Sequence, residues 1–304
     1  MNTLAVIIPA YKPDYLKKAL TSLAEQSWKG FSVYIGDDAS PADLYRIIAP
    51  FEHALDIHYT RFADNCGGKN LVRQWERCIR LCRDEDFIIL SSDDDMMEPG
   101  CIESFVNFQV PDDVNVLHYN INIIDENDKG LQECPPFPES LSSESFFDLL
   151  FRRQIVARMP EFVFRREWLL KNGIVPFDLA WRADTATVIS AARSGGILTI
   201  SGDRVLWRSS AMNISGNPQL ASRKNKANLD FFNWLYDQHL ALPMSRFYLL
   251  KTIIFALEYY NTAQFVRDGF KAAFHLKYSA RRRILTVLFI LYRIPYHWVE
   301  LHRS

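Results

Sequence analysis

The stretch Phe87-Ile-Ile-Leu-Ser-Ser-Asp-Asp-Asp95 places four apolar residues directly before two serines and three aspartates. A short apolar run that stops at polar turn residues is typical of a buried β-strand. Two earlier stretches have the same form: Leu4-Ala-Val-Ile-Ile-Pro9 ends at a proline, and Val33-Tyr-Ile-Gly-Asp-Asp38 ends at two aspartates. All three therefore predict strands that carry polar or turn-forming residues at their carboxyl ends.

Segments with helical spacing separate these strands. They lie at residues 15–26, 44–51 and 70–82, and a further strand is predicted at residues 57–61. A β-α-β-α order implies a mostly parallel sheet with helices on its faces. Ligands bind such sheets beyond the carboxyl ends of the strands. The expected fold class is therefore α/β, with a Rossmann-like, mostly parallel central sheet.

The later part of the chain changes in character. Strands are predicted at residues 114–124, 162–164 and 198–207, and a helix at residues 184–193 ends before Gly195-Gly196. After Pro218, aromatic residues recur at helical spacing. We therefore predict an α/β domain over residues 1–215 and a helical region over residues 216–304.

Charge is unevenly distributed along the chain. The 304 residues carry a net charge of −1, which argues against a nucleic-acid partner. Residues 245–304 nevertheless hold ten Lys or Arg and three Asp or Glu. Within them, Arg281-Arg-Arg283 precedes the apolar run 284–292, which is too short to span a bilayer. This pattern favours a helix lying on a membrane surface, with a helix packed on the protein itself as the alternative.

The cysteines and the N-terminus suggest a compartment. The five cysteines lack the spacing of metal ligands, as expected for a reducing environment. The first residues have neither the basic segment nor the cleavage site of a signal peptide. We therefore expect a cytoplasmic protein, attached peripherally to the inner face of the membrane if its C-terminal helix binds lipid.

Asp93, Asp94 and Asp95 are the strongest candidates for chemistry. A solvated acidic turn is the alternative, but like charges at the mouth of a buried strand are unfavourable unless a cation offsets them. A small number of oxygen ligands suits Mg²⁺ or Mn²⁺ held partly by the phosphates of a substrate. The triplet therefore predicts a divalent-metal site.

Other polar residues have two interpretations each. Asp38 can bind a base or ribose, or cap the next helix. The segment from Asp64 to Asn70 sets two glycines and a lysine before a helix, where an anion can bind, although P-loop spacing is absent. Asp184 opens a predicted helix and fits an N-cap as well as a catalytic role.

In this order the residues resemble glycosyltransferase family 2, inverting enzymes of the GT-A fold, and in particular the type that builds bacterial surface polysaccharides. The resemblance covers about residues 3–215. The motifs that carry it are Val6-Ile-Ile-Pro-Ala-Tyr11, Gly36-Asp-Asp-Ala-Ser-Pro41, the segment from Asn65 to Asn70, Leu90-Ser-Ser-Asp-Asp-Asp-Met-Met-Glu-Pro99 and Trp181-Arg-Ala-Asp184.

Two positions depart from the family pattern. Ser91 or Ser92 stands where the family has the leading aspartate of its metal motif, so the choice of ligands among the three aspartates stays open. Ala183 replaces the glutamate of the family's Glu-Asp pair and leaves Asp184 alone.

The resemblance implies a role for each matched residue. Asp93 and Asp95 would hold the divalent ion on the diphosphate of a nucleotide sugar. Asp184 would deprotonate an acceptor hydroxyl, which attacks C1 of the sugar in line and inverts the anomeric centre. A UDP-sugar is favoured, and the residues that would contact the nucleotide are Pro9, Tyr11, Asp38, Asn70, Asp94 and Arg208.

The expected function is sugar transfer from a nucleotide sugar to a hydroxyl of a glycan or lipid-linked saccharide, in polysaccharide or lipopolysaccharide assembly. An inactive nucleotide-sugar-binding assembly subunit is one alternative, but it would lose the metal carboxylates that this chain keeps. A sugar-nucleotide nucleotidylyltransferase is another. It would need a Gly-rich basic loop where this chain has Pro9-Ala-Tyr-Lys-Pro13.

Overall fold

The computed structural model describes residues 2–210 and 212–238, together with residues 267, 270 and 274. The chain divides into two compact units. The first contains the residues up to Val175 and Ala183–Ser210, and the second contains Pro176–Arg182 and the described residues from 212 onward. The basic and apolar segment at residues 281–292 lies outside the described residues, and the boundary expected at residue 216 stays a prediction.

Ten strands of the described first unit form one sheet. They are β1 (Leu4–Ala10), β2 (Ser32–Asp37), β3 (Asp56–Arg61), β4 (Phe87–Leu90), β5 (Met96–Met97), β6 (Val116–Ile124), β7 (Gly130–Glu133), β8 (Ser140–Leu141), β9 (Phe162–Arg165) and β10 (Ile197–Arg208). Their order is β3-β2-β1-β4-β9-β6-β10-β5, with β7 beside β6 and β8 beside β10. Strands β3, β2, β1 and β4 run parallel to one another, whereas β9 is antiparallel to β4 and β6.

The central parallel strands are covered on both faces, which explains their continuous apolar sequences. Every residue of β4 is buried, and in β1 only Pro9 is partly exposed. The edge strand β3, by contrast, has no fully buried residue. The core of the first unit therefore surrounds β1 and β4 and fixes the positions of their carboxyl ends.

Helices and short 3-10 turns connect the strands. The helices are α1 (Leu16–Ala24), α2 (Tyr45–Ile48), α3 (Leu71–Ile79), α4 (Cys101–Val106), α5 (Ser143–Phe151), α6 (Arg166–Asn172), α7 (Ala183–Ala191) and α8 (Ala221–Asp237). The 3-10 turns are Ala49–Phe51, Met159–Glu161, Asp178–Ala180 and Pro218–Leu220. Within the described residues, no helix combines the length and the apolar character needed to cross a membrane.

The strand order confirms the predicted α/β class. The four N-terminal strands and the helices that become α1, α3 and α7 are where the hydrophobic patterns place them. The patterns did not indicate α4, α5 and α6, which span six, nine and seven residues. They also could not give the direction of β9, which lies between β4 and β6 in the sheet.

In the second unit, α8 packs against the segment Pro176–Arg182. The ring of Phe177 lies 6.0 Å from that of Phe231 and 6.4 Å from that of Trp234, measured between centroids. Nearby, the guanidinium of Arg223 forms an ion pair with Asp178 at 2.6 Å. These contacts hold the segment against α8 within the second unit.

Candidate active site

The carboxyl ends of β2, β1 and β4 lie side by side at one edge of the sheet. The strand registers pair Ala10 with Asp37 and Ile7 with Leu90. Beyond the strands, the amide of Ser91 donates to the carbonyl of Ile7 at 2.9 Å. The polar residues that follow these strands are therefore brought together, as predicted. We name this cluster the acidic edge, and its members are Asp37, Asp38, Asp93, Asp94 and Asp95.

Asp93 joins the end of β4 to the loop after β1. Its Oδ2 atom accepts hydrogen bonds from the backbone amides of Tyr11 and Lys12, both at 2.8 Å. The residue is only 8% exposed. Within the described part of the chain, no group donates to its Oδ1 atom. One oxygen of Asp93 therefore orders the loop, and the other remains available to a ligand.

Ser92 links Asp94 to Asp95. Its Oγ atom lies 2.6 Å from Asp94 Oδ1 and 2.6 Å from Asp95 Oδ2. A hydroxyl has a single proton, so it can donate to only one of these carboxylates at a time. The other oxygen of Asp95 accepts from the backbone amide of Arg208 at 2.8 Å. The amide of Arg208 thus fixes one oxygen of Asp95, while Asp94 and Asp95 share the single proton of Ser92.

Burial makes the charges of the acidic edge unfavourable. It raises the pKa of Asp93 to about 6, and the charge of Asp94 adds to the effect. Burial and the charge of Asp94 likewise raise the pKa of Asp95 to about 8. A cation beside these carboxylates would oppose both shifts because it favours the ionised form.

The donor set fits a hard divalent ion, since every candidate ligand is a carboxylate oxygen. Among the described residues, no three His, Cys, Asp or Glu side chains are grouped as a complete metal site. Mg²⁺ or Mn²⁺ that shares phosphate oxygens and water needs only one or two carboxylates from the protein. The acidic edge can therefore supply the protein's share of such a site, and the choice of Asp93 and Asp95 stays a prediction.

Asp38 holds the glycine-containing loop before α3. Its Oδ1 atom accepts from the amide of Cys66 at 2.7 Å and its Oδ2 atom from the amide of Gly67 at 2.8 Å. Arg77 forms an ion pair with it. These bonds leave no helix-capping role for Asp38, because the residue before α2 is Leu44 and has no side-chain cap. Contact of Asp38 with a base or ribose stays a prediction.

Pro9 and Tyr11 lie at the same edge of the sheet. Pro9 is partly exposed at the end of β1, and the side chain of Tyr11 is 40% exposed. Asn70, by contrast, caps α3, since its Oδ1 atom accepts from the amide of Arg73 at 3.0 Å. Nucleotide contacts by Pro9, Tyr11 and Asn70 stay predictions.

Arg208, the last residue of β10, is fully buried beside the acidic edge. Its Nε atom donates to the carbonyl of Asp94 at 2.9 Å, and its guanidinium pairs with Asp128 at 2.7 Å. The guanidinium also lies 4.5 Å from the ring centroid of Tyr15. A diphosphate would compete with Asp128 for this cation. Contact of Arg208 with the nucleotide stays a prediction.

Asp184 lies in the first turn of α7, which begins at Ala183. Its Oδ1 atom accepts from the amide of Thr185 at 2.6 Å and from the hydroxyl of Thr185 at 3.2 Å. An N-cap residue precedes the helix and accepts from an amide two or three residues later. The capping interpretation of Asp184 is therefore wrong, and its partly exposed carboxylate keeps the catalytic interpretation.

A buried pair, His118 and Glu161, escaped the sequence analysis. The Nε2 atom of His118 lies 3.4 Å from Oε1 of Glu161, and both side chains are fully buried. Among the described residues, neither ring nitrogen of His118 forms a hydrogen bond, and no group donates to the Oε2 atom of Glu161. Burial raises the pKa of Glu161, the charges of Asp184 and Asp95 raise it further, and burial lowers the pKa of His118. Both shifts favour the neutral form of the group concerned.

Solved structures with the same fold belong to GT-A glycosyltransferases. TarS of Staphylococcus aureus, residues 1–349 in complex with UDP-GlcNAc, aligns with a TM-score of 0.66 at 14% identity, covering 100% of this chain and 90% of that one. The mannosyltransferase PcManGT of Pyrobaculum calidifontis, in complex with GDP-Man and Mn²⁺, aligns with a TM-score of 0.57 at 15% identity, covering 98% and 83%. At this identity the likeness establishes the fold alone.

The chain therefore has the GT-A fold. Residues 5–173, more than half of the chain, match the profile described as "Glycosyl transferase family 2". This chain belongs to glycosyl transferase family 2, as its motifs indicated.

A curated relative also matches part of the chain. The processive diacylglycerol beta-glycosyltransferase of Mycoplasma pneumoniae is 27% identical over 115 residues. The match covers 35% of this chain and 32% of that relative. The chain therefore spans about a third of the length of the curated relative that it matches.

Proposed function

We propose that this glycosyltransferase moves a sugar from a nucleoside-diphosphate donor to a hydroxyl group of its acceptor with inversion at C1. The observation that carries the proposal is the acidic edge, where β2 and β4, on either side of β1 in the parallel sheet, bring buried carboxylates to one place. In open sheets this is where nucleotides bind. UDP is the favoured nucleotide, in line with the UDP-GlcNAc present in the TarS complex.

The donor diphosphate would lie against the loop that Asp93 orders. The loop amides of Tyr11 and Lys12 already point toward a carboxylate oxygen, and Pro9 ends the neighbouring strand. Tyr11 exposes its ring at this edge and can contact the nucleotide base. Asp38 and Asn70 fix the loop and helix on the other side, and Asp94 carries an oxygen available to the nucleotide.

Asp93 and Asp95 would hold a divalent ion, Mg²⁺ or Mn²⁺, with the donor phosphates completing its coordination. When bound, the ion would offset the negative charge that develops on the departing diphosphate. The raised pKa values of both carboxylates support this assignment, because an unfavourable cluster of buried acids gains from a cation. The Mn²⁺ in the PcManGT complex also supports it.

Asp184 would act as the general base. Its carboxylate lies at the start of α7 and is partly exposed, as a group that receives a proton from an acceptor hydroxyl must be. Removal of that proton makes the hydroxyl a better nucleophile and contributes about 10²–10⁴-fold to the rate. Attack in line with the departing diphosphate then inverts the anomeric centre.

The acceptor would be a glycan or a lipid-linked saccharide at a membrane surface. The support is the charge of residues 245–304, which hold ten basic and three acidic residues. The curated relative named for diacylglycerol, a lipid acceptor, is consistent with this setting. Peripheral attachment to the cytoplasmic face would bring the active site close to such an acceptor.

The experiment is release of the nucleoside diphosphate from a panel of nucleotide sugars, with Mn²⁺ or with EDTA, with water as the acceptor. We expect turnover of one donor that requires the metal and that is absent in Asp95→Asn. A thermal-shift measurement with UDP and Mn²⁺ tests donor binding separately, because a ligand of the native state raises its stability. An inactive assembly subunit would bind the nucleotide without turnover, whereas a nucleotidylyltransferase would release pyrophosphate from a nucleoside triphosphate and a sugar phosphate.

A further inference from the structure

The turn between β6 and β7 lies against the buried Arg208 of the same unit. We name residues 125–129 the hairpin tip. The tip follows the carboxyl end of β6, where Ile124 is in register with Arg208 at the end of β10. Every residue from 126 to 133 is exposed, so little apolar burial holds this hairpin in place. Segments with few buried contacts open more readily than the core of a protein.

The side chain of Asp125 orders the hairpin tip internally. Its Oδ1 atom accepts from the amides of Asn127 and Lys129, at 2.8 and 2.9 Å. The amide of Asp125 in turn donates to the carbonyl of Lys129 at 2.8 Å. All three bonds lie within the tip. The tip can therefore keep its shape when its bonds to other parts of the chain break.

The hairpin tip is bonded to one side of the Arg208 guanidinium. The Nη1 atom donates to the carbonyl of Asp125 at 2.7 Å and pairs with Oδ1 of Asp128 at 2.7 Å. These two bonds use both hydrogens of that nitrogen. On the other side, Nε donates to the carbonyl of Asp94 at 2.9 Å, and Nη2 lies 3.2 Å from the sulfur of Met96. Arg208 thus joins the acidic edge to the hairpin tip.

A second cation holds the same carboxylate. The Oδ2 atom of Asp128 pairs with Nζ of Lys18 in α1 at 2.8 Å, and Nζ also donates to the carbonyl of Glu126 at 3.3 Å. Burial opposes the ionisation of Asp128, but the bonds from Lys18 and Arg208 outweigh it and lower the pKa of Asp128. A single anionic side chain therefore binds two cations, one of which lies beside the acidic edge.

These contacts form a site that a diphosphate can take over. Arg208 is fully buried, whereas the side chain of Asp128 is 39% exposed. Displacement of the tip would free both hydrogens of Nη1 for an incoming anion. Phosphate oxygens bond to guanidinium at two points, and a diphosphate carries more negative charge than one carboxylate. A nucleoside without phosphates has no charge with which to displace Asp128.

We propose that Asp128 is an internal competitor of the donor diphosphate, and that its carboxylate binds Arg208 and Lys18 until the diphosphate displaces it. The inference rests on the proposed contact of Arg208 with the donor, and it adds the hairpin tip as a lid on that contact. Asp128 thereby determines specificity, because only a ligand with sufficient negative charge removes the lid.

The first test titrates inorganic pyrophosphate, UDP and uridine into the full-length protein with Mg²⁺ by calorimetry. Pyrophosphate makes the result independent of the nucleotide base. Asp128→Asn removes the competing charge, and asparagine tolerates the φ angle of 67° at this position. The matched control, Glu126→Gln, removes an equal charge from the same tip.

We expect Asp128→Asn to bind pyrophosphate and UDP about fivefold more tightly than wild type, since one partly exposed ion pair no longer opposes the ligand. Glu126→Gln should bind both ligands with the affinity of the wild type. The affinity for uridine should be the same in all three proteins, because uridine does not compete with Asp128.

The second test uses trypsin to follow the position of the tip. Lys129 is exposed and lies within the tip, and the exposed Lys171 serves as a reference site elsewhere in the first unit. Pyrophosphate should accelerate cleavage of the wild type after Lys129 but not after Lys171. Asp128→Asn should be cleaved faster after Lys129 even without ligand. Cleavage rates after Lys129 that fall or stay constant when pyrophosphate binds would overturn the lid.

The outcomes separate this inference from the proposed function. Weaker or unchanged binding of pyrophosphate and UDP by Asp128→Asn, in a wild-type protein that turns over a nucleotide sugar, would overturn the competitor role and leave the transferase. Failure of wild type and variant alike to bind pyrophosphate and UDP would also overturn it. Tighter binding by Asp128→Asn in a protein without transferase activity would support the competitor role and contradict the proposed function.

Discussion

The Oδ2 atom of Asp93 lies 2.8 Å from the backbone nitrogen of Tyr11, so the acidic triplet after β4 is bonded directly to the loop after β1. The bond joins two segments that are 82 residues apart in the chain. The same oxygen accepts from Lys12, which leaves the loop with two of its amides satisfied by one carboxylate. Asp93 consequently has a structural role through Oδ2, while no group of the described residues donates to its Oδ1 atom.

The substitution Asp95→Asn should separate metal binding from folding. We expect it to abolish transfer and Mn²⁺-dependent binding of UDP, because an amide is a far poorer ligand for a divalent cation than a carboxylate. Without metal, at pH 8, the melting temperature of the variant should equal or exceed that of wild type, since burial disfavours the charge that is removed. Calorimetric titration with UDP and Mn²⁺, together with thermal unfolding, measures both effects.

Asparagine is preferable to alanine at position 95. Its amide oxygen can still accept from the buried backbone amide of Arg208, which alanine would leave without a partner at a cost of about 1–3 kcal/mol. Full activity of the wild-type enzyme in EDTA, or unchanged binding of UDP and Mn²⁺ by Asp95→Asn, would contradict the metal assignment.

Asp184→Asn should lower kcat by about 10²–10⁴-fold while the KM for the donor stays near the wild-type value. The reason is that an amide cannot take the proton of the acceptor, whereas donor binding depends on the acidic edge. The variant should keep its melting temperature, because among the described residues the carboxylate bonds only to its neighbour Thr185. Steady-state kinetics and melting curves on the same preparation test the prediction, and a destabilised variant with normal turnover would refute it.

Glu161→Gln should change how stability depends on pH. The pKa of Glu161 is raised in the folded protein above its ordinary value of 4.5, which applies to the unfolded chain. Between these two pKa values, the folded state keeps the proton that the unfolded chain has lost. Wild-type stability attributable to this group is therefore full below about pH 4.5 and falls as pH rises toward the folded pKa, by at most about 1.4 kcal/mol per pH unit. Glutamine carries no such dependence.

We consequently expect the difference in unfolding free energy, variant minus wild type, to increase between pH 5 and pH 8. Denaturant unfolding at several pH values measures it. Asp93 and Asp95 contribute in the same direction but are present in both proteins, so their effects cancel to first order. Parallel pH curves would show that Glu161 is already ionised in the folded state, paired with a charged His118.

The acidic edge was predictable because its information is local. Each aspartate follows an apolar run of strand length, and the β-α-β-α order places the ends of parallel strands together. The identity of Asp184 needed the resemblance to a family, since its local context fits an N-cap equally well. Only the structure excludes the cap, by beginning α7 at Ala183.

Long-range pairings could not be predicted in the same way. His118 and Glu161 are 43 residues apart and meet because β9 lies beside β6 in the sheet. Likewise, the bond from Asp38 to Cys66 and the pair of Arg208 with Asp128 depend on how loops fold back across the sheet. The sequence does contain one indication of this pair, because Glu161 is a charged residue flanked by apolar ones. An analysis based on hydrophobic periodicity does not detect such a residue.

The last prediction concerns residues 281–292, which lie outside the described residues. Three arginines there precede a nine-residue apolar run. Basic side chains close to an anionic bilayer contribute about 1 kcal/mol each, so three of them change membrane partition about a hundredfold. We therefore expect the full chain to co-sediment with vesicles that contain an anionic lipid and to stay in the supernatant with purely zwitterionic ones.

Replacing Arg281, Arg282 and Arg283 together by alanine should reduce this co-sedimentation strongly. The matched control replaces three exposed cations of the first unit by alanine: Lys17, Arg80 and Lys171. Co-sedimentation should be unchanged in this control if vesicle binding depends on residues 281–283 and not on the net charge of the protein. High salt should weaken binding of the wild type, since screening shortens the range of the attraction. Equal recovery of all proteins in the supernatant, with and without anionic lipid, would exclude membrane attachment by this segment and favour the alternative that it packs on the protein.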